Sequence, residues 1–223
     1  MGEFEDQAAV WNERAPSYNE ASLGLAWPVA EVLVKLADGG HVLELGIGAG
    51  RVALPLARRG VTVTGLDAST DMIRRLIERR GDLPVEVRIT YMAAFDVPNL
   101  YPLIYVVSST CYLLTTRDRQ MSRLHCCARA LSDGGRLVIE AVVPGSSALP
   151  LESGIFVRAV GQDYAKVFFV AHDPVTQALR SQEVQLDAEG MRLRHVTRRY
   201  THLPDLDLMA SVAELRLEGR PSG

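Results

Sequence analysis

The stretch Glu44-Leu45-Gly46-Ile47-Gly48-Ala49-Gly50-Arg51 follows directly on the short apolar run His41-Val42-Leu43. An apolar run that breaks into alternating glycines reads as a buried strand ending in a tight turn. Glycines there let the backbone approach a ligand with no Cβ in the way. The helix that follows offers unpaired N–H groups at its start. The spacing departs from the dinucleotide fingerprint G-x-G-x-x-G, because Arg51 stands where its last glycine would be. Glu44 would also repel a pyrophosphate, whereas a carboxylate pairs with an ammonium. A tight strand-to-helix turn needs glycine even without a ligand, so the loop alone leaves the ligand open.

Outward from the loop, the chain alternates between two periods. Val29, Val32, Leu33 and Leu36 recur at helical spacing before it. After it, Arg51 to Arg59 reads as a helix stopped by Gly60, with Pro55 near its start. Val61 to Leu66 reads as a strand. Ser69 caps a helix carrying Met72, Ile73, Leu76 and Ile77, stopped by Arg79-Arg80-Gly81. Val85 to Thr90 and Leu103 to Ser108 are further strands. Thr116 caps a helix with Met121, Leu124, Ala128 and Leu131 inward, and Gly134-Gly135 leads into a strand over Arg136 to Val143. Strands separated by crossover helices make a parallel sheet, so the expected fold is α/β and doubly wound.

The pattern changes after Pro144. Residues 155–202 hold strand-like segments joined by turns, with Val184, Leu186, Met191 and Leu193 alternating with polar residues around Asp187-Ala188-Glu189-Gly190. This predicts an antiparallel β insert. A helix over about 204–213 and a last strand over Glu214 to Glu218 follow. The expected division is a helical segment 1–40, a core 41–144, the insert 145–203 and a completing helix and strand 204–223.

The 223 residues suit one domain with an insert, and a net charge of −3 gives no field favouring nucleic acid or an anionic membrane. No apolar run reaches the ~18 residues of a spanning helix. The acidic, polar start lacks the marks of a secretion signal, and Gly2 lacks the Ser or Thr of a myristoylation site, since position 6 is Asp6. The cysteines, Cys111, Cys126 and Cys127, are too few for a disulfide framework and point to a reducing cytoplasm. They read as buried filler, and no His, Cys and carboxylate cluster has metal-ligand spacing.

Asp67 ends the second strand, where a carboxylate can accept both hydroxyls of a ribose. With Asp67 in place, Glu44 to Arg51 resembles the first motif of class I S-adenosylmethionine-dependent methyltransferases. Gly65-Leu66-Asp67-Ala68-Ser69, with Met72 a turn later, resembles the second. Met92-Ala93-Ala94-Phe95 is similar to the family's adenine-contacting segment, and Val106 to Leu114 to its fourth strand and active-site turn. The similarity covers roughly residues 10–144. The β insert looks like the lid of small-molecule members, such as the sugar N,N-dimethyltransferases of antibiotic pathways.

The resemblance implies a Rossmann-like sheet with the insert as a lid over the cofactor, and S-adenosylmethionine as that cofactor. Glu44, Gly46, Gly48 and Arg51 would hold its methionine end and Asp67 its ribose. Ala68 and Met72 would pack on the adenine, the backbone of Met92 and Ala93 would meet its edge, and Val107 and Ser108 would lie beside the sulfonium. Residues 1–40 would cover the cofactor, with Tyr18 touching it. Two positions depart from the family: Tyr91 replaces an adenine-binding Asp, and Tyr101-Pro102 replaces a Phe-Asp pair.

Methyl transfer from a sulfonium is an in-line displacement, so alignment and water exclusion can supply much of the catalysis. The catalytic candidates are Tyr18, Ser109, Tyr112 and His172, with Ser108, Thr110 and Trp11 near them. His41 reads as structural and His125 as a packing residue; one of His172, His195 and His202 on the insert could be a base facing the substrate, a solvent-facing strand position being the default for each. Alternation puts Arg192, Arg194 and Arg198 on one strand face, with Arg199 beside them; this reads as a solvated face, or more sharply as a grip on an anionic substrate. The expected function is methylation of nitrogen or oxygen on a small molecule, without nucleic-acid or membrane partners. The resemblance implies a homodimer through the lid. The alternatives are a catalytically silent binding module and a nicotinamide-dependent oxidoreductase.

Overall fold

Strands β1 (His41–Leu45), β2 (Thr62–Asp67), β3 (Val85–Ile89), β4 (Tyr101–Val106) and β5 (Leu131–Ile139) form one parallel sheet in the order β3-β2-β1-β4-β5. This computed structural model describes residues 3–18, 26–149 and 151–220. Gly2 and the outer ends of the expected terminal segments lie outside the described residues. The order reverses between β1 and β4, which leaves a crevice at the carboxyl ends of these two strands.

Consecutive residues of β1 serve opposite faces. Val42 packs with Leu33, Val63, Leu103 and Leu54, while Leu43 and Leu45 pack with Leu66, Ile104, Cys126 and Cys127. Burial on both faces is why these strands read as unbroken apolar runs. Helices α2 (Ala26–Ala37) and α3 (Ala53–Ala57) cover one face and α5 (Arg117–Ala130) the other; α4 (Thr70–Arg80) follows β2. Ser69 caps α4 by accepting from the Met72 N–H at 3.1 Å, and Thr116 caps α5 at 3.3 Å from the Arg119 N–H.

Several local expectations are corrected. α3 is shorter than Arg51 to Arg59: Pro55 has no N–H for the Arg51 carbonyl, and the chain is still turning at Arg51 and Val52. β4 ends at Val106, and β5 starts at Leu131 and ends at Ile139. His125 is exposed, because the phase of α5 turns Arg123, Leu124, Cys126 and Cys127 inward. The strand expected over Glu214 to Glu218 is absent. α6 (Leu203–Val212) closes in a Schellman turn, in which the Leu215 N–H bonds the Ala210 carbonyl at 2.9 Å and Glu214 adopts φ +62°. That turn directs the chain away from pairing, and among the described residues β5 remains an edge strand.

The insert is an antiparallel meander of β6 (Gly154–Val160), β7 (Tyr164–Asp173), β8 (Ala178–Asp187) and β9 (Gly190–Arg199). Its two faces are the reverse of the simple expectation. Ile155 and Val157 pair with Phe169 and Val167, Val184 with Leu193, and Leu186 with Met191, so these residues share a face. That face is exposed: Val157 is 67% and Met191 64% accessible. The opposite face carries Lys166, Glu183, Arg192, Arg194 and Arg198, and there Glu183 is buried.

Glycine at position 65, paired with Glu44 across β1 and β2, is required by close approach. A Cβ built on it lies 2.1 Å from Ile47 Cδ1 and 2.7 Å from Ile47 Cβ. Gly65→Ala is expected to cost about 1–3 kcal/mol by overpacking. Urea unfolding measures this, and an unchanged midpoint with unchanged slope would contradict the packing argument.

Candidate active site

The glycine loop spends its donors inside the protein. The Gly46 and Ile47 N–H groups both donate to the Leu66 carbonyl, at 2.8 and 3.0 Å, and Gly50 N–H donates to the Ile47 carbonyl at 3.0 Å. Gly48 N–H donates to Asp67 Oδ2 at 2.7 Å, while Ser69 N–H donates to Asp67 Oδ1 at 2.8 Å. Asp67 therefore clamps the loop after β1 to the turn after β2. A pyrophosphate cradle needs such N–H groups aimed at the ligand; here they are committed elsewhere. Gly46 has φ +74°, and a Cβ there would lie 2.4 Å from Thr110 Cγ2.

Glu44 is buried at the end of β1. Its Oε2 accepts from the Tyr105 hydroxyl of β4 at 2.9 Å. Burial raises its pKa to about 8; the hydrogen bond from Tyr105 and the charge of Arg51 pull against that rise. Burial also raises Asp67, opposed by the N–H groups of Ser69 and Gly48. The carboxyl of Glu44 is therefore largely protonated at neutral pH, because burial outweighs the charge of Arg51.

The turn after β4 is held in an unusual shape. Ser108 and Ser109 take φ +59° and +56°, a left-handed conformation that costs roughly 1–2 kcal/mol per non-glycine residue. Glu140, just past β5, supports both. Its carboxylate accepts from Ser108 N–H, and its carbonyl accepts from Ser109 N–H at 3.1 Å. Ser109 Oγ accepts from Val142 N–H at 2.9 Å, and Arg51 donates to Ser108 Oγ. The result presents Val107 to Thr110 to the crevice between β1 and β4.

Helix α1 (Glu3–Arg14) closes one side. Asn12 Oδ1 accepts from Ser69 Oγ at 2.7 Å and from Asp71 N–H at 3.1 Å, and Arg75 donates to the Ala15 carbonyl. These bonds fix the N-terminal segment on the turn that carries Asp67. Trp11 and Tyr18 meet edge to face, with ring centroids 6.5 Å apart.

One cleft is lined by Trp11, Tyr18, Glu44, Gly46, Gly48, Arg51, Asp67, Ala68, Met72, Met92, Val107, Ser108 and Ser109. Three expected site residues are elsewhere. Ala93 is buried away from the cleft, and its carbonyl accepts from Ser122 Oγ on α5 at 2.5 Å. Tyr112 lines a different cavity beside α6 and donates to the Val142 carbonyl at 3.1 Å; burial holds its pKa well above the usual phenol value. It ties the turn after β4 to the chain beyond β5. His172 Nε2 lies 2.9 Å from the Tyr200 hydroxyl, outside the cleft: it shares the charged face with Lys166 and Arg198, but its place near the end of β7 sets it against Tyr200. Among the other histidines, His41 Nε2 bonds Thr64 Oγ1 at 2.7 Å, while His195 and His202 are exposed.

Thr90, Tyr91, Thr110, Leu113 and Arg198 also line the cleft. Asn12, Tyr105 and Glu140 position the residues that line it. Sequence reasoning passed over Asn12, Tyr105 and Glu140 because each acts across a distance in the chain. Arg192, by contrast, is held at the hairpin tip by Asp187 and by Glu189 at 2.7 Å, and Arg199 donates to Gln120 Oε1 at 2.6 Å.

Residues 42–135 match the family model described as a methyltransferase domain. The CcbJ methyltransferase of Streptomyces caelestis superposes with a TM-score of 0.81 at 30% identity, covering 86% of this chain and 78% of that one. The chain belongs to the S-adenosylmethionine-dependent methyltransferases. Two curated relatives agree. A Staphylococcus carnosus methyltransferase is 31% identical over 58% of this chain and 65% of its own length. The cypemycin N-terminal methyltransferase of a Streptomyces species is 26% identical over 82% of this chain and 75% of its own. This chain thus spans just under two thirds of the Staphylococcus carnosus relative.

The cleft of this methyltransferase suits its cofactor, S-adenosylmethionine. A Cβ on Gly48 would meet nothing closer than Met72 Cε at 3.8 Å and would project into the cleft. Leu66, Met72 and Met92 supply apolar wall, and Glu44 and Asp67 supply carboxylates, a set matched to a cationic nucleoside rather than to a polyanion.

The raised pKa of Glu44 has a defined sign in stability. Between its ordinary 4.5 and its folded value of about 8, the folded protein binds more protons than the unfolded chain, so stability falls as pH rises. The loss approaches roughly 5 kcal/mol above the folded pKa. Glu44→Gln is expected to flatten that decline in denaturant titrations from pH 5 to 9; a wild-type protein equally stable at both ends would contradict it.

Proposed function

We propose that this methyltransferase methylates the nitrogen of a small-molecule amine. The observation that carries the reading is the lining of the cleft. Among the described residues there it has no histidine or lysine, and its carboxylates are Glu44, hydrogen-bonded to Tyr105, and Asp67, clamped to the loop. An oxygen nucleophile must lose its proton to a base, whereas a neutral amine attacks without one. The cypemycin relative, by its name, acts on an N-terminus.

The bound cofactor supplies a methyl group on a sulfonium, ready for in-line displacement. In the proposed arrangement the unshared lone pairs of Asp67 accept the ribose hydroxyls, and Met72, Met92 and Ala68 hold the adenine. Tyr91 borders the same space in place of an acid, so adenine selection rests on packing more than on a carboxylate. Glu44 receives the ammonium of the methionine end. Tyr18 and Ser109 align the acceptor, and Trp11 helps to exclude water. Because Asp67 also clamps the loop, Asp67→Ala lowers stability as well as affinity. The three cysteines are unpaired and buried, as suits the reducing cytoplasm we assign to it.

Incubation with labelled S-adenosylmethionine and matched amines and phenols tests the reaction. Label is expected on amines, and phenols methylated with equal kcat/KM would overturn the choice of nitrogen. Calorimetry of S-adenosylhomocysteine in buffers of different ionisation enthalpy tests Glu44. Binding at pH 7 should release close to one proton, because the arriving ammonium pulls the Glu44 pKa down from about 8. Affinity should then rise from pH 6 to 8 in the wild type and stay level in Glu44→Gln.

We further assign the exposed apolar face of the insert to a second copy of the chain. Ile155, Val157, Phe169 and Met191 are each 45–67% accessible on it. Sedimentation velocity should show a dimer that Val157→Asp converts to a monomer with unchanged S-adenosylhomocysteine affinity; a monomeric wild type removes this assignment.

A further inference from the structure

The charged face of the insert gathers several cations around one buried carboxylate. Glu183 is buried there and forms ion pairs with Arg194 at 3.3 Å and Lys166 at 3.5 Å. The same carboxylate acts through space on Arg14 of α1 and on Arg198. Arg14 also feels Glu13, whereas Arg194 opposes it. Arg198 differs from its neighbours in reaching the cofactor cleft. Its hydrogen bond is to a neutral group, Ser181 Oγ, at 3.5 Å. Burial and the charge of Arg14 both make its charged form costly, and Glu183 offsets that only in part. A guanidinium drawn out of water beside another cation is stabilised by a bidentate oxyanion more than by any neutral partner.

We infer that Arg198 holds an oxyanion, a carboxylate or a phosphate, carried by the methyl acceptor. This rests on the amine-methyltransferase reading and adds a second functional group to its substrate. Arg198 belongs to the insert, while the core already places Arg51 beside the glycine loop, so the two guanidinium groups enter the cleft from different parts of the fold. An acceptor anchored by its anion at Arg198 would have its amine within the same cleft. Arg198 is then a specificity residue that binds the acceptor without taking part in the proton chemistry.

The test needs no knowledge of the substrate. Acetate and inorganic phosphate are titrated separately into the protein, with and without saturating S-adenosylhomocysteine, and followed by the arginine Nε–H resonances. One of the two should bind the S-adenosylhomocysteine complex, and the tighter one identifies the group as carboxylate or phosphate. Arg198→Gln should weaken that binding about 10- to 100-fold while S-adenosylhomocysteine affinity stays within about twofold. Arg198→Lys, which keeps the charge but loses the fork, should fall between them and serves if the glutamine variant does not fold. Failure of both anions to bind, equal binding by the variant, or displacement of the anion by S-adenosylhomocysteine overturns the inference; the last would hand Arg198 to the cofactor's own carboxylate. Failure of S-adenosylhomocysteine itself to bind would instead overturn the methyltransferase reading, and the anion titration without it would still report on Arg198.

Discussion

The two hydrogen bonds accepted by Asp67 hold the site together. One oxygen takes the Gly48 N–H from the loop after β1, and the other takes the Ser69 N–H from the turn into α4. Two chain segments nineteen residues apart thereby share one carboxylate. Ser69 in turn caps α4 and bonds Asn12, so the N-terminal helix is tied to the same point. A charge-assisted bond of this kind is stronger than a neutral one, and burial strengthens it further. The loop can be rich in glycine without being loose, because the N–H groups of Gly46, Ile47, Gly48 and Gly50 end on fixed acceptors.

That commitment also decides the chemistry. A loop with its N–H groups turned inward is a poor site for phosphates, and what remains facing the cleft is a glycine surface flanked by carboxylates. Glu44 completes this polarity from within the sheet, where it accepts from the Tyr105 hydroxyl and burial raises its pKa. Across the crevice the paired left-handed serines, supported by Glu140, hold the other wall. The strain at these serines is offset by a hydrogen-bond network that reaches from β5 to the glycine loop through Arg51.

The insert obeys a different rule. Its sheet turns a cluster of charges towards the cleft and α1, and an apolar face outward. A free-standing antiparallel sheet would do the opposite. The inner face buries Glu183 among its cations, and the outer face leaves Ile155, Val157 and Met191 exposed.

Much of this protein was readable without coordinates. Local periodicity marked the five core strands and α4 to α6, because a strand buried on both faces must be apolar throughout, and a helix must show its stripe and its cap. Gly46, Gly48 and Asp67 line the cleft as the glycine loop and the end of the second strand suggested, whereas Met72 and Met92 were pointed to by the family resemblance. Three things needed the tertiary structure. The edge of the sheet depended on how α6 ends, and the Schellman turn at Glu214 removed a strand that composition allowed. The place of Tyr112 depended on which side of a turn its side chain leaves, and that of His172 on how far along β7 it stands, beside Tyr200 rather than beside the cleft. Alternation along β9 showed that Arg192, Arg194 and Arg198 share a face, but not which way it looks. Only docking against α1 and the core turned Arg198 inward, since a period of two separates the faces of a strand without naming the one that is buried.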